Sequence, residues 1–276
     1  METPGFISRN ESHFKLPKEY VSAFQYNDYS IPIHTHEFYE MNIVTSGSGI
    51  HCIEENRLKV SRGDVFVIPP SVCHGYENTE KLCVYHILIH PAFMKQIEKE
   101  GKTVEGFTLL TEIEPFLRAR SSELMFLHLS ELEFMEIEHD IKMLDSGGRF
   151  TSERFFPLRD HIAVKLLYYF SYLLSKQAPQ QKNHQILMSA LEFIHTHYDE
   201  KLTIDTICKA LFTSRSTLVR AFDEVLSVSP HLYIRRFRKN KAIGLLSEGM
   251  SKTQTAVSCG YYDVSHMCKE LENSSV

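Results

Sequence analysis

The spacing of apolar residues changes period once along this chain, and that change demands two different kinds of core. Between residues 24 and 90 the apolar runs are short: Met41-Asn-Ile-Val-Thr, Val65-Phe-Val-Ile and Val84-Tyr-His-Ile-Leu-Ile, punctuated by Gly-Ser-Gly, Arg-Gly-Asp and Pro-Pro. Short strands with turn signals at close spacing predict a sandwich or small barrel. From Ser130 the period becomes helical. Ser130 with Glu133 makes a capping box, Phe134, Ile137, Ile141 and Leu144 recur at three and four, and Gly147-Gly148 ends the run. A second helix is predicted from about Pro157 to Lys176, with Leu158, Ile162, Leu166, Phe170 and Leu173 on one stripe beside Tyr168 and Tyr169. That stripe suits core packing and a dimer seam equally. Gln177–His184 is polar and contains proline, so it is the expected linker. Everything after it reads as helices.

A chain of 276 residues is long enough for two domains and needs no disulfide or metal staple. With 43% hydrophobic and 24% charged residues, it is neither disordered nor fibrous. No apolar run reaches the ~18–20 residues of a membrane span, since Lys165 breaks Ile162–Leu174. Met1–Phe14 lacks a signal core, and the six cysteines form no CxxC pair. A cytoplasmic protein with reduced thiols is expected. The net charge of −5 is uneven: residues 184–276 carry 11 basic against 10 acidic groups, and residues 1–183 carry 19 against 25. Lys209–Lys241 holds eight basic residues and two acids. Such a stripe points to a polyanion, although a solvated face carries the same pattern.

In the β-rich half, His34-Thr-His36-Glu-Phe-Tyr-Glu40 sits at the start of a strand pattern. A period of two puts positions 34, 36 and 40 on one face, with His74 following one hairpin later. Three imidazoles and a carboxylate converging in a barrel make a metal centre with an open position, or a polar pocket whose groups satisfy one another. Asn42 shares the face, and His51, Tyr76 and His86 join it, a donor and acceptor set that suits a polyhydroxy ligand. His34, His36, Glu40, Asn42, His74 and His86 are therefore the candidate ligand-binding residues, with no metal or cofactor assigned. The spacing HxHxxxE, then Gly47, Gly63, Pro69, His74 and Asn78, resembles the cupin pattern over roughly residues 30–90. Ser71 replaces one expected glycine.

In the helical half, Ile186, Leu187, Ala190, Leu191 and Ile194 form one helix face, Thr203 caps Ile204–Leu211, and Ser214 caps Arg215–Val225. Two short helices joined by a tight turn make a helix-turn-helix. On its second helix Leu218, Phe222 and Val225 face inward while Arg215, Ser216, Val219 and Arg220 face out. Arginine pairs with guanine, serine hydrogen-bonds and valine meets a thymine methyl, so these four residues with Ser214 are candidate base readers. Ser229-Pro230 starts a further helix carrying Tyr233, Phe237, Ala242, Leu245 and Leu246, with Arg235, Arg236, Arg238, Lys239 and Lys241 between them.

The order Leu218-x-Arg220-x-Phe222, Ser229-Pro230, Tyr233-x4-Arg238-x3-Ala242-x2-Leu245-Leu246, then Gly260-Tyr-x-Asp263-x-Ser265, resembles the C-terminal domain of the AraC/XylS family of bacterial transcription regulators. That resemblance implies two helix-turn-helix units entering successive major grooves, with Arg235, Arg236, Ser265 and Lys269 added to the DNA-binding residues. It also implies a cupin-like sensor in front of them, and the wording of the barrel segment is similar to the sugar-responsive branch. Three departures stand out: Ser227 where glycine is usual, Lys252 and Thr255 at positions usually apolar, and an end at Val276 before the usual last helix.

The expected molecule is an α+β, non-enzymatic, homodimeric transcription regulator. Residues 20–90 would form the cupin-like barrel, 91–176 a helical linker and dimerisation region, and 184–276 a DNA-binding domain whose second unit is incomplete and only marginally stable. Its partners would be double-stranded promoter DNA and a small-molecule effector, a sugar, with no membrane. The rival reading is a cupin isomerase or dioxygenase using His34, His36, Glu40 and His74.

Overall fold

The computed structural model describes residues 5–119, 127–145, 152–177, 182–247 and 249–272. The expected helix stop at Gly147-Gly148 and linker residues 178–181 lie outside them. The chain divides into two compact units, Met1–Ala178 and Pro179–Val276.

The first unit begins with β1 (Ile7–Ser8), the short helix α1 (Asn10–His13), β2 (Val21–Tyr26), β3 (Ile31–His36), β4 (Tyr39–Ile53), β5 (Asn56–Ser61), β6 (Asp64–Ile68) and β7 (His74–Ile89). The long strands β4 and β7 pair antiparallel, with register shifts between Val44 and Ile50 that bend the ribbon. Their bend lets them serve two layers. Near Glu40–Val44 they are flanked by β2 and β6, and near His51–Ile53 by β3 and β5. The interior between the layers receives Val44, Phe66, Ile68, Tyr76 and Val84, together with the histidines.

The opposite faces of the same strands are buried too. Met41, Ile43, Val65, Val67, Tyr85 and Ile87 pack in one core with the helices. Burial on both faces explains why β6 reads as the unbroken run Asp64-Val-Phe-Val-Ile68 rather than an alternation. The covering layer comprises α2 (Pro91–Gly101), a π-helical turn (Leu109–Ile113), α3 (Glu114–Arg118), β8 (Leu127–His128) joined to β6, α4 (Glu131–Leu144) and α5 (Phe156–Lys176). The Ser130–Glu133 capping box forms as expected. Along α5, Ile162, Leu166 and Phe170 lie in this core, so the stripe is core packing within one chain; Leu158 at its start is exposed.

The second unit is all helical: α6 (Lys182–His197), α7 (Ile204–Ala210), α8 (Arg215–Leu226), α9 (Pro230–Ser247), α10 (Lys252–Ser258) and α11 (Val264–Glu272). Thr203, Ser214 and Ser251 each accept a backbone N–H three residues on, starting α7, α8 and α10. Asp263 accepts the His266 N–H at the start of α11. Two helix-turn-helix units are therefore present. Leu218, Ala221 and Phe222 are buried on α8 as its spacing requires, whereas Val225, expected inward, is only half-buried.

The helices of the second helix-turn-helix, α10 and α11, pack with α9 around Ala242, Ala256, Cys259, Tyr261 and Met267. Thr255 does pack inward, but its hydroxyl donates to Ser251 O at 2.9 Å, so the polar atom is satisfied. Lys252 is exposed in the first turn and displaces no apolar group. The burial deficit expected of these two residues is thus small.

The two serines that replace expected glycines, Ser71 and Ser227, have φ of +67° and +52°. Ser227 ends α8 in the left-handed conformation, which costs a residue with a Cβ roughly 1–2 kcal/mol. Ser227→Gly should therefore raise the stability of the second unit by about 1 kcal/mol, seen as a higher urea midpoint at unchanged slope.

Candidate functional site

The barrel interior draws its polar groups from three strands. The period-of-two argument placed positions 34, 36 and 40 on one strand; instead Glu37-Phe38 turns the chain, His34 and His36 end β3, and Glu40 begins β4. The residues still converge, because β7 pairs with both strands: His74 lies opposite His34, and His86 opposite Asn42. His34 and His74 are centred 4.3 Å apart, and His36 and His74 5.0 Å apart.

Glu40 is the only carboxylate in this set. Its Oε1 accepts from His86 Nδ1 at 2.8 Å, while Oε2 lies 3.5 Å from His36 Nε2 and 3.9 Å from His74 Nε2. Burial pushes the Glu40 carboxyl up, but the His86 hydrogen bond and the surrounding imidazoles outweigh it and hold the group well below the usual carboxylate range. Burial likewise keeps His34, His36 and His74 below the ordinary imidazole value, against the opposing pull of Glu40.

Asn42 donates through Nδ2 to Tyr76 Oη at 3.1 Å. Its Oδ1, and Nε2 of His36, His51, His74 and His86, are buried with no hydrogen-bond partner among the described residues. Buried polar atoms are almost always paired, so five in one interior mark a place that hydrogen-bonds or coordinates something else. All six expected ligand-binding residues face this interior.

Sequence reasoning missed the cation beside His51. Arg118 is 1% exposed; its Nε donates to Glu114 Oε1 at 2.7 Å, one terminal nitrogen donates to Val67 O at 2.7 Å, and the other reaches His51 Nδ1 at 3.2 Å. The guanidinium also lies over the Phe66 ring. Burial and this cation keep His51 well below its ordinary value, so it is neutral. Tyr29, centred 4.8 Å from His86, was also missed. No local signal marks either residue.

In the second unit, Arg215, Ser216, Val219 and Arg220 are exposed on α8, beside the capping Ser214, while Ser265 and Lys269 are exposed on α11. Arg215 pairs with Asp205 at 3.0 Å, between two exposed side chains. On α9, Arg236 is exposed, but Arg235 pairs with Glu270 at 2.7 Å. Arg238 donates to Tyr198 O and Glu200 O, and Lys239 to Glu270 O and Leu271 O. These three basic groups tie α9 to the end of α6 and to α11. Gly260, at φ +67°, passes so close to Tyr198 O that a Cβ would stand 2.4 Å from it.

Residues 16–132 match the AraC-like ligand binding domain, and residues 207–273 match a helix-turn-helix domain. The chain is 24% identical over 243 residues to the HTH-type transcriptional activator RhaS of Klebsiella pneumoniae (strain 342), covering 86% of this chain and 82% of that protein. It is 22% identical over 255 residues to the uncharacterized HTH-type transcriptional regulator YbfI of Bacillus subtilis (strain 168), covering 91% and 87%. Among solved structures, ToxT from Vibrio cholerae O395 aligns over 92% of this chain and 94% of its own, with 13% identity and a TM-score of 0.35. Residues that match an AraC-like ligand binding domain stand ahead of residues that match a helix-turn-helix domain, so the chain is a DNA-binding transcription regulator with a ligand-binding domain, similar to AraC-type regulators.

Proposed function

We propose that the chain acts in the cytoplasm as a homodimer that senses a sugar in the barrel interior and changes its grip on promoter DNA in response. The observation that carries the sensing half is the set of buried, unpartnered polar atoms of His36, Asn42, His51, His74 and His86 around ionised Glu40. Imidazole, amide and carboxylate acceptors lining one interior, with the His51 N–H as donor, recognise hydroxyl groups, each of which both donates and accepts. That RhaS is a transcriptional activator supports the same reading. Leu132 and Met135, exposed on α4 while Phe134, Ile137, Ile141 and Leu144 are buried, suit the dimer contact. The cupin-enzyme alternative is not favoured, because the barrel segment matches a ligand-binding domain and is followed by a DNA-binding one.

In this reading Ser214, Arg215, Ser216, Val219 and Arg220 read bases in one groove, Ser265 and Lys269 serve the second unit, and Arg236 meets phosphate. Arg235 contributes only by holding α11 in place. Ligand binding shifts the regulator only by as much as the two states differ in affinity for the ligand. The test is promoter binding by the full chain across a panel of monosaccharides. One sugar should change the affinity at least fivefold, and an affinity unmoved by every sugar would remove the sugar assignment. Within the same assay, Arg220→Ala should cost about 1–3 kcal/mol on the specific site and relax the preference at one base pair. Equal losses on specific and random DNA would remove Arg220 from the base readers.

A further inference from the structure

Both helix-turn-helix units leave their first helix by the same backbone turn. In the second, Tyr261 N–H donates to Ala256 O at 2.9 Å and Gly260 N–H to Val257 O at 3.1 Å, with Gly260 at φ +67°. In the first, Thr213 N–H donates to Cys208 O at 3.0 Å and Phe212 N–H to Lys209 O at 3.4 Å. This pairing is the common left-handed exit from a helix, and glycine is its preferred residue. Phe212 holds it at φ +49°, where a Cβ is strained. Its ring gains nothing from the domain in return, since Phe212 is 98% exposed. A strained backbone and a solvated phenyl ring both work against folding, so neither folding nor packing accounts for the residue. A counterpart precedes α11. Tyr262, 93% exposed, directly precedes Asp263, whose carboxylate accepts the His266 N–H at 2.7 Å to start that helix. Among the described residues these are the two most exposed large apolar side chains, and both stand just ahead of a reading helix.

We propose that Phe212, with Tyr262 in the second helix-turn-helix, lies against the DNA duplex and contacts its apolar edge, a thymine methyl or a deoxyribose. This deepens the DNA-reading assignment of α8 and α11 and rests on it. Position supports it. A reading helix meets base edges with its N-terminal residues, and Phe212 stands at most about 7 Å of chain before Ser214, which caps α8. The groove that receives Ser214 and Arg215 therefore brings DNA to the ring. Charge supports it too. Lys209 and Arg220 are exposed on either side in sequence, and Asp205, the carboxylate lining the shallow cleft beside Phe212, is paired with Arg215 at 3.0 Å. A polyanion suits such surroundings. The other residues lining that cleft are Cys208, Lys209 and Thr213, so it offers a protein partner a single ring rather than an apolar patch. Duplex DNA carries isolated apolar groups among polar edges, and phenylalanine packs on a thymine methyl. Tyr262 has in addition a hydroxyl to donate to a phosphate.

The experiment first lets the full-length wild-type chain select a duplex from a random pool by repeated rounds of binding. Affinity for that duplex is then measured for wild type, Phe212→Gly, Phe212→Asn and Tyr262→Ser, beside urea unfolding of each. Glycine and asparagine both tolerate the left-handed turn, so the urea midpoint of the Phe212 variants should stay level or rise. Affinity should nevertheless fall at least fivefold for each variant. Stability and affinity moving apart mark a contact made outside the chain, because a packing role would lower both. Uracil in place of thymine in the selected duplex locates the contact. A wild-type loss that Phe212→Gly does not share marks a methyl, and an equal response in both marks the deoxyribose. Unchanged affinity in both Phe212 variants overturns the proposal, as does a midpoint that falls together with affinity; unchanged affinity in Tyr262→Ser removes Tyr262 alone. Full affinity combined with lost transcription by RNA polymerase from the selected site also overturns it, by giving the ring a protein partner. A wild-type chain that selects no duplex overturns the reading assignment of α8 as well.

Discussion

Arg118→Ala should cost the first unit about 3–5 kcal/mol, enough to shift or abolish its unfolding transition while the second unit's transition stays in place. The guanidinium is almost wholly buried and satisfies three acceptors on three elements: Glu114 on α3, Val67 on β6 and His51 on β4. Removing it leaves the Glu114 carboxyl buried without its cation, and burial already pushes that carboxyl above its ordinary value. Glu114 then takes up a proton, and His51 and Val67 O lose their donor. Replacing both charges should be cheaper than replacing one: Arg118→Leu with Glu114→Leu should recover part of the loss, since no ionised group is then stranded. Urea unfolding of the full chain, with the two transitions fitted separately, measures both variants. A cost below about 1 kcal/mol for the single change would show that water reaches this corner.

Phe222→Ala should have a comparable effect on the DNA-binding unit, about 3–5 kcal/mol. Phe222 is fully buried on α8, edge-on to Tyr233 of α9 at 5.7 Å, so it joins the reading helix to the helix that follows. Tyr233 in turn reaches His195 of α6 at 2.6 Å through its hydroxyl. Truncation opens a cavity at the point where three helices meet, and α8 loses the backing that presents Arg220. Specific DNA binding should fall along with helicity at the working temperature. If affinity is retained at full helicity, the core tolerates the cavity and α8 is held by its other contacts. Phe222→Leu, which keeps most of the volume, should lose less than half as much.

How much of this was legible in the sequence depends on how local each cause was. Ser130, Thr203 and Ser214 start their helices through bonds to residues three positions on, and a local signal of that kind survives in a one-dimensional reading. The histidine cluster was found because spacing placed His34 and His36 together, although Glu40 reached the same interior across a turn. Residues 91–118 were harder. They combine a π-helical turn with two short helices, and their apolar residues follow neither simple period. Arg118 gave no sign of its role, because His51 and Val67 lie 67 and 51 residues away in sequence. The α5 stripe was ambiguous for a physical reason: a helix buried against its own domain and one buried against a second copy need the same apolar face. On α9 the sequence shows basic residues but not their geometry, and only the structure separates Arg236 from the three that bond to α6 and α11.

That internal use of charge has a consequence for how the regulator responds to its ionic surroundings. Each phosphate neutralised by a protein cation releases counterions and steepens the loss of affinity with salt by about 0.9 in a double-logarithmic plot. Counting all eight basic groups of Lys209–Lys241 would give a slope of about −7 for each chain. Arg235, Arg238 and Lys239 are held by a carboxylate and by carbonyl oxygens of their own domain, Arg215 by Asp205, and Lys241 lies over the Phe237 ring, leaving Lys209, Arg220 and Arg236 and a slope of about −3. Operator affinity measured across a potassium chloride series would distinguish the two values. A domain that anchors its helices with its own cations gives up part of its non-specific attraction to DNA. What it keeps is an affinity that varies less when the cell's salt concentration does.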